Sequence, residues 1–318
     1  MMNEELKKQL RNRGICVVIP TYNNDTTIKT VVEKSLLYCD DVIVVTDGCT
    51  DRTTDILHAI DGITIVSYPQ NRGKGYALKM GFRRALEMGF SYAITLDGDG
   101  QHYPEDIPLF LKANQQHPQS LIIGSRQLEG VDRSKGSSFA NKFSNFWFYV
   151  QTGRALPDTQ TGYRLYPLHR LCGLSLLTSR YEAELELLVF ASWHGVKLVP
   201  IPVQVYYPPR NERVSHFRPG KDFARISVLN TVLCFLAVVY GLPLRLWRTL
   251  MTFLRTAYSL LFFLFFTLVV FTPFVWIYTK VGKMTERRRY RLHQLIYHAS
   301  RFVMIHHGIP GTKYEYKV

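Results

Sequence analysis

Short apolar runs alternate with helix-like segments over residues 15–124. Five of these runs have the length and the β-branched composition of buried strands. They are Ile15–Pro20, Val42–Thr46, Ile63–Ser67, Tyr92–Leu96 and Leu121–Gly124. Helical patterns fall between them, over residues 24–39, 52–60 and 76–88. Strands that alternate with helices predict a mostly parallel sheet with helices on both faces, which is an α/β fold.

Two aspartates, Asp97 and Asp99, follow the fourth apolar run and are separated by one glycine. In open α/β sheets, ligands bind outside the carboxyl ends of the strands, and these side chains are expected at that rim. Two carboxylates and the Gln101 amide oxygen suit a hard divalent cation, Mg²⁺ or Mn²⁺, which keeps substrate phosphates in its shell. The alternative is a polar turn with helix-capping aspartates. Polar residues after the first and second runs belong to the same predicted rim, which favours a site.

Six motifs occur in order along the chain. They read VVIPTYNN at residues 17–24, TDGCTD at 46–51, NRGKG at 71–75, DGDGQ at 97–101, GSR at 124–126 and DTQTGYR at 158–164. The set resembles the family 2 glycosyltransferases, and within them the dolichyl-phosphate mannose synthase and polyprenyl-phosphate glycosyltransferase branch. The resemblance covers about residues 14–225 and implies a glycosyltransferase A fold, which is Rossmann-like. Cys49 stands where the family usually has serine.

The resemblance implies a nucleotide-diphosphate sugar as the donor and assigns residues to it. Asp47 would accept hydrogen bonds from the base, and Lys74 would meet ribose or phosphate. The implied nucleotide-sugar contacts are Pro20, Thr21, Tyr22, Asn24, Asp47, Lys74, Asp97 and Gly98. Asp97, Asp99 and Gln101 would hold the metal, which neutralises the charge that develops on the departing diphosphate.

The acceptor side leaves two versions of this chemistry open. A phosphate monoester is already anionic at neutral pH and needs cations to hold it, not a base to activate it. The candidates for holding it are Arg126, Arg164, Arg213, Ser215, His216 and Arg218. His216 stands where that branch commonly has lysine. A hydroxyl acceptor would need a general base instead.

Acidic residues that could act as that base lie in two places. Asp158 is in the sixth motif, and Glu182 begins an apolar helix that runs to about Trp193. Glu184 and Glu186 in the same helix fit either a base or a first-turn position favoured by the helix dipole. The predicted catalytic set is therefore Asp99, Arg126, Arg164, Asp158 and Glu182.

Two uncharged apolar segments, residues 226–244 and 256–279, indicate a membrane-associated region. The second is long enough to cross about 30 Å of hydrocarbon as a helix. The first contains Asn230, Thr231 and Pro243, and it fits a span, a re-entrant segment or a buried helix. The sequence thus predicts an N-terminal extension (1–13), a catalytic domain (14–225), a membrane-associated region (226–282) and a basic tail (283–318).

The net charge and the cysteine content indicate the cellular compartment and the kind of partner. The net charge is +14, and residues 244–318 hold twelve basic and two acidic residues, which leaves +4 for the rest. A basic region beside apolar segments suits an anionic membrane surface better than nucleic acid, for which no motif is present. Five scattered cysteines without a C-x-x-C pair argue against disulfides and zinc. With a polar N-terminus, this predicts a cytoplasmic membrane protein whose catalytic domain faces the cytoplasm.

The expected activity is metal-dependent, inverting transfer of a sugar from a nucleotide-diphosphate sugar to a membrane lipid, with polyprenyl phosphate as the first choice. A lipid hydroxyl acceptor, with Asp158 or Glu182 as base, is the alternative. A non-catalytic, membrane-anchored nucleotide-sugar-binding subunit is a further one. A nucleotidyltransferase is disfavoured, because residues 20–24 read PTYNN where such enzymes carry a Gly-rich, Arg-containing loop.

Overall fold

The structure is a computed structural model, and it describes residues 2–126, 135–171, 173–174, 176–206 and 219–306. The chain divides into two units, Met1–Leu242 and Pro243–Val318. Helices of the first unit are α1 (Met2–Asn12), α2 (Ile28–Leu36), α3 (Thr53–His58), α4 (Lys74–Glu87), α5 (Ile107–Gln116), α6 (Lys135–Thr152), α7 (Leu168–Leu171), α8 (Glu182–Trp193) and α9 (Pro219–Leu236).

Seven strands form one sheet within the described part of the first unit. They are β1 (Ile15–Thr21), β2 (Val42–Asp47), β3 (Ile63–Tyr68), β4 (Tyr92–Thr95), β5 (Leu121–Arg126), β6 (Arg164–Pro167) and β7 (Leu198–Val203). Their order is β3-β2-β1-β4-β6-β5-β7, and β6 runs antiparallel to both of its neighbours. The other pairs are parallel. The predicted α/β fold with a mostly parallel sheet is confirmed.

The five strands expected from the apolar runs are all present, whereas β6 and β7 are additional. Every residue of β1 and β2 is buried, as parallel strands covered on both faces require. The short β6 begins with an arginine, and β7 contains Pro200 and Pro202, so neither reads as an apolar run. Helix α2 also begins later than predicted, because the Asn24 carbonyl accepts the amides of Thr27 and Ile28 in a preceding turn.

Helices cover both faces of the sheet because alternate strand residues point to opposite sides. On one face, Val17 and Ile19 of β1 pack in a core with Val32 of α2 and Phe110 of α5. On the other face lies α4. A Cβ at Gly81 of α4 would lie 2.5 Å from Cγ1 of Val18, so glycine there allows the helix to approach β1.

The parallel pairing of β2, β1 and β4 brings three polar loops to one rim. Thr21 at the end of β1 is paired with Thr46, next to Asp47 at the end of β2. Strand β4 is paired with β1 on its other side and ends just before Asp97. Gly48 turns the chain at this rim with φ +66°, and a Cβ there would lie 2.4 Å from the Asn71 amide nitrogen. The close approach of the 71–75 segment to β2 therefore depends on that glycine.

Helix α6 buries mostly polar residues and exposes aromatic ones. Its buried positions include Asn141, Ser144 and Gln151 besides Phe148, whereas Phe146 and Tyr149 are 57% and 56% exposed. The Gln151 amide donates to Oδ1 of Asn230 in α9 at 3.0 Å. A polar inner face and an aromatic outer face are unusual for a helix that meets only water.

The C-terminal region is helical over a longer range than the two predicted apolar segments. After α9 come a π-helical turn at Ala237–Gly241, α10 (Leu242–Phe265), a second π-helical turn at Phe266–Phe271, α11 (Thr272–Lys280) and α12 (Glu286–His306). Helix therefore also covers residues 245–255, which the sequence placed between the two segments. Ala224–Lys280 is long and apolar enough to cross a membrane. Helices α10 and α11 bury none of their residues in the described structure.

Replacing Gly75 in α4 by alanine should destabilise the first unit. A Cβ there would lie 2.3 Å from the Cβ of Ala183 in α8, and overpacking of this kind costs about 1–3 kcal/mol. We expect a lower unfolding temperature for Gly75→Ala in detergent. Gly173→Ala is the control, because nothing lies within 4 Å of its Cβ position. Equal unfolding temperatures for the two variants would contradict this packing.

Candidate active site

Three charged side chains from different elements meet at the rim of the sheet. The Lys74 ammonium, at the start of α4, lies 2.7 Å from Oδ1 of Asp97 and 2.9 Å from Oε2 of Glu184 in the first turn of α8. Burial alone would lower the pKa of Lys74, but the two carboxylates outweigh it and raise the pKa above its ordinary value. Burial would likewise raise the pKa of Asp97, and the Lys74 ammonium outweighs it and lowers that pKa. Lys74 and Asp97 therefore stay charged.

The backbone of the sixth motif closes over this ion cluster. A Cβ at Gly162 would lie 2.7 Å from both Oδ2 of Asp97 and Nζ of Lys74. The Thr95 hydroxyl donates to the Gly162 carbonyl at 2.6 Å and holds the segment against β4. A side chain at position 162 would collide with Asp97 and Lys74, so the position requires glycine. The sequence alone does not reveal this requirement.

Asp99 lies beside the cluster in a less favourable electrostatic environment. Its Oδ1 accepts the Gln101 amide at 3.0 Å. Burial, and then the neighbouring charge of Asp97, raise the pKa of Asp99 to about 6. A divalent cation would relieve this repulsion between two carboxylates, so the residues present fit Mg²⁺ or Mn²⁺. The described residues contain no metal-suited cluster of three or more His, Cys, Asp or Glu, so substrate oxygens would complete the coordination.

A cavity of about 400 Å³ opens against Asp99 and Gln101. Threonines at the start of α2 line it, and so does His102. His102 is buried, and burial lowers its pKa to about 4, so the imidazole is neutral. Its Nδ1 finds no hydrogen-bond partner among the described residues. Sequence reasoning missed His102, although it directly follows the fourth motif.

The predicted nucleotide-sugar residues gather at the same rim, and several of them bond to one another or to nearby backbone. The Asp47 carboxylate accepts the amides of Arg72 and Gly73 at 2.7 and 2.8 Å. The Asn24 amide donates to the Thr21 hydroxyl at 3.0 Å. A Cβ at Gly98 would lie 3.0 Å from that same hydroxyl oxygen, so the first and fourth motifs are in contact. Pro20 and Tyr22, from the end of β1, complete this edge.

Arg126 and Asp158 form a bidentate ion pair on the acceptor side. Arg126 Nε and Nη2 donate to the two oxygens of Asp158 at 2.6 and 3.0 Å. Asp158 is fully buried, and its Oδ1 also accepts the Gln160 amide. With both oxygens engaged, the position of Asp158 does not support a general-base role. The adjoining loop is tied to α6, because Asn145 donates to the Pro157 carbonyl and accepts the Thr159 amide.

Arg164 requires a correction to its expected role. It lies on β6, is fully buried, and donates to the backbone carbonyls of Glu184 and Thr159, at 2.9 Å in each case. Its guanidinium therefore fastens α8 to the sixth motif and is closed to solvent, which disagrees with a role in holding an acceptor phosphate. The sequence identified the residue type but could not show that it is inaccessible to solvent.

The three glutamates of α8 have different surroundings. Glu182 is buried at the first position of the helix. Glu184 belongs to the ion cluster, and Glu186 accepts the amide and the hydroxyl of Thr178 at 2.9 and 2.6 Å. Glu186 is therefore a structural residue that fixes the preceding loop. The predicted acceptor residues Arg213, Ser215, His216 and Arg218 lie outside the described residues.

Comparisons with known proteins agree with this architecture. Residues 16–166 match the family model described as Glycosyl transferase family 2. The uncharacterized protein MJ1222 of Methanocaldococcus jannaschii is 30% identical over 218 residues, which cover 64% of this chain and 88% of that protein. The UDP-N-acetylglucosamine–dolichyl-phosphate N-acetylglucosaminyltransferase of Methanococcus voltae is 28% identical over 221 residues, which cover 62% and 88%.

A solved structure shares the fold. Glucosyl-3-phosphoglycerate synthase from Mycobacterium tuberculosis, in complex with Mn²⁺, UDP and phosphoglyceric acid, superposes with a TM-score of 0.57. The match is 20% identical and covers 74% of this chain and 82% of that chain. The chain belongs to glycosyltransferase family 2, and it is a glycosyltransferase. The family and fold inferred from the six motifs are confirmed.

Asp99→Asn should stabilise the metal-free protein at neutral pH. The folded-state pKa of Asp99 is raised, so the ionised carboxylate destabilises the fold, fully above about pH 6 and not at all below its unfolded value near 3.8. With a chelator present, we expect the variant to unfold at a higher temperature than wild type at about pH 7.5, with a smaller gain at about pH 4.5. A gain independent of pH would contradict this cause.

Proposed function

We propose that the protein is a metal-dependent, inverting glycosyltransferase that moves a sugar from a nucleotide-diphosphate sugar to a polyprenyl phosphate in a membrane. The observation that carries this proposal is the pair Asp97 and Asp99 at the rim of the sheet. Asp97 is kept anionic by Lys74, and Asp99 borders the cavity. Two neighbouring carboxylates, one of which borders an open space, are suited to a cation that also binds substrate phosphates.

The donor would lie across the ends of β1, β2 and β4. Tyr22 and Asp47 would contact the base, with Asp47 fixed by the amides of Arg72 and Gly73. Asp97, Asp99 and Gln101 would hold Mg²⁺ or Mn²⁺, and the bound cation would stabilise the negative charge on the leaving diphosphate. The similar synthase from Mycobacterium tuberculosis, crystallised with Mn²⁺ and UDP, supports metal use in this fold.

A phosphate acceptor agrees with the acceptor side of the site. A phosphate monoester attacks without losing a proton to a base, and the engagement of both Asp158 oxygens argues against one of the two candidate bases. Arg126 would contact the phosphate while Asp158 fixes the plane of its guanidinium. Arg213, Ser215, His216 and Arg218 are proposed as further contacts. The dolichyl-phosphate named for the Methanococcus voltae relative supports this choice of acceptor.

The membrane part of the proposal is supported by the helical region. Ala224–Lys280 can cross a membrane, and the exposed aromatic face of α6 provides further apolar surface. We place the catalytic unit on the cytoplasmic side. The five scattered cysteines of the sequence, without a C-x-x-C pair, support a reducing compartment for this unit.

The activity is tested by incubating membranes that contain the protein with labelled UDP- and GDP-sugars and polyprenyl phosphate. We expect label in lipid, its loss with a chelator and its return with Mn²⁺. Asp99→Ala should lower kcat at least about 100-fold, because charge on the leaving diphosphate is then less stabilised. Asp61→Ala, at an exposed aspartate far along the chain from the motif, is the control. Undiminished transfer by Asp99→Ala would overturn the proposal.

Arg126→Lys tests the acceptor assignment. Lysine cannot form the bidentate pair with Asp158 or bind a phosphate through two nitrogens, so KM for polyprenyl phosphate should rise about tenfold or more with the donor KM unchanged. Arg83→Lys, at an exposed arginine paired with Glu87, is the matched control. Transfer to polyprenol at the rate seen with polyprenyl phosphate would refute the phosphate acceptor.

A further inference from the structure

The ammonium of Lys74 is shared between two carboxylates that belong to different parts of the site. Asp97 lies on the motif proposed to hold the metal, and Glu184 lies on α8. The two distances, 2.7 and 2.9 Å, are nearly equal, and the exposed fractions of the Lys74 and Glu184 side chains are only 16% and 10%. Solvent screens charges weakly at such low exposure. How closely the Lys74 ammonium approaches each carboxylate therefore changes the interaction energy of both ion pairs.

Glu184 is held in place by its neighbours but has an unused acceptor. Arg164 donates to the Glu184 carbonyl at 2.9 Å, and the adjacent Ala183 packs against Gly75. Oε2 of Glu184 receives Lys74, whereas Oε1 is buried and has no hydrogen-bond partner among the described residues. An unsatisfied buried carboxylate oxygen is unfavourable, so a cation that moved toward it would be stabilised.

Lys74 and a divalent cation would both draw on the negative charge of Asp97. Oδ1 of Asp97 already accepts Lys74. A Cβ at Gly162 would lie 2.7 Å from both Oδ2 of Asp97 and Nζ of Lys74, so the backbone leaves little room on that side. A cation bound to Asp97 would repel the Lys74 ammonium, and Glu184 is the anion already within reach.

We propose that Glu184 is a positioning residue that takes up Lys74 when a divalent cation binds Asp97, so that the lysine does not exclude the metal. This inference rests on the proposed function. It differs from a simple field effect, in which the negative charge of Glu184 attracts the cation whatever Lys74 does. The two explanations are separable, because the first requires Lys74 and the second does not.

The experiment is a double-mutant cycle on Mn²⁺ affinity, measured with UDP present from the electron paramagnetic resonance signal of free Mn²⁺. We expect Glu184→Gln to weaken Mn²⁺ binding about tenfold, because Lys74 then pairs with Asp97 alone. In a Lys74→Met background, the same change should leave Mn²⁺ affinity unaltered. Equal weakening in both backgrounds, or none in either, would overturn the inference.

Two further variants test whether the effect is specific to the charge of Glu184. Glu186→Gln removes a charge from the same helix without touching Lys74 and should leave Mn²⁺ affinity unchanged. Glu184→Asp retains the charge and should weaken Mn²⁺ binding less than Glu184→Gln does. If Lys74→Met fails to fold, Lys74→Gln takes its place in the cycle, and equal weakening of Mn²⁺ binding by Glu184→Gln with and without Lys74 overturns the inference.

The wild-type protein provides the remaining distinction. Absence of Mn²⁺ binding by wild type, with UDP present, would overturn the proposed function and this inference with it. Strong binding by both wild type and Glu184→Gln would overturn the inference alone. Unfolding temperatures measured on the same samples identify any variant that has lost its fold.

Discussion

The site depends on burying a positive charge between two negative ones. An isolated ammonium at the depth of Lys74 would cost several kcal/mol, and Asp97 and Glu184 offset that cost together. The buried guanidinium of Arg164 balances part of the negative charge, and Asp99 adds a further carboxylate beside Asp97. The same arrangement that holds α4, β4 and α8 in register therefore also attracts a second cation. The packing of these elements and the proposed metal binding therefore depend on the same ion cluster.

Small residues make this arrangement possible in space. Gly75 allows α4 to reach α8, Gly162 allows the sixth motif to pass over Asp97, and Gly48 allows the 71–75 segment to approach β2. At each of these positions a Cβ would lie within 2.7 Å of a neighbouring atom. The motifs are thus rich in glycine because main chain, not side chains, fills the space between the charged groups.

Sequence patterns predicted the strands and the rim well, for an identifiable reason. Buried parallel strands are uniformly apolar, and their carboxyl ends converge, so polar residues after β1, β2 and β4 had to meet. The short β6 and the proline-containing β7 lack that signature. Arg164 and Asp158 were assigned roles by residue type, but their accessibility depends on β6 and on a loop whose course follows from tertiary packing. The position of Glu184 was undecided because nearly every residue of α8 is buried, so no polar face marks its orientation.

The two faces of helix α6 differ in chemistry, because one contacts the segment around Asp158 and the other exposes aromatic side chains. The Asn145 side chain makes two hydrogen bonds that hold the segment around Asp158. The outer face of the helix is aromatic. Under the proposed membrane association, a shift of this outer face would also move Asn145, and with it the segment that anchors Arg126. Bilayer thickness would then be a variable of the catalytic rate, and detergent micelles would be a different mechanical medium for the enzyme.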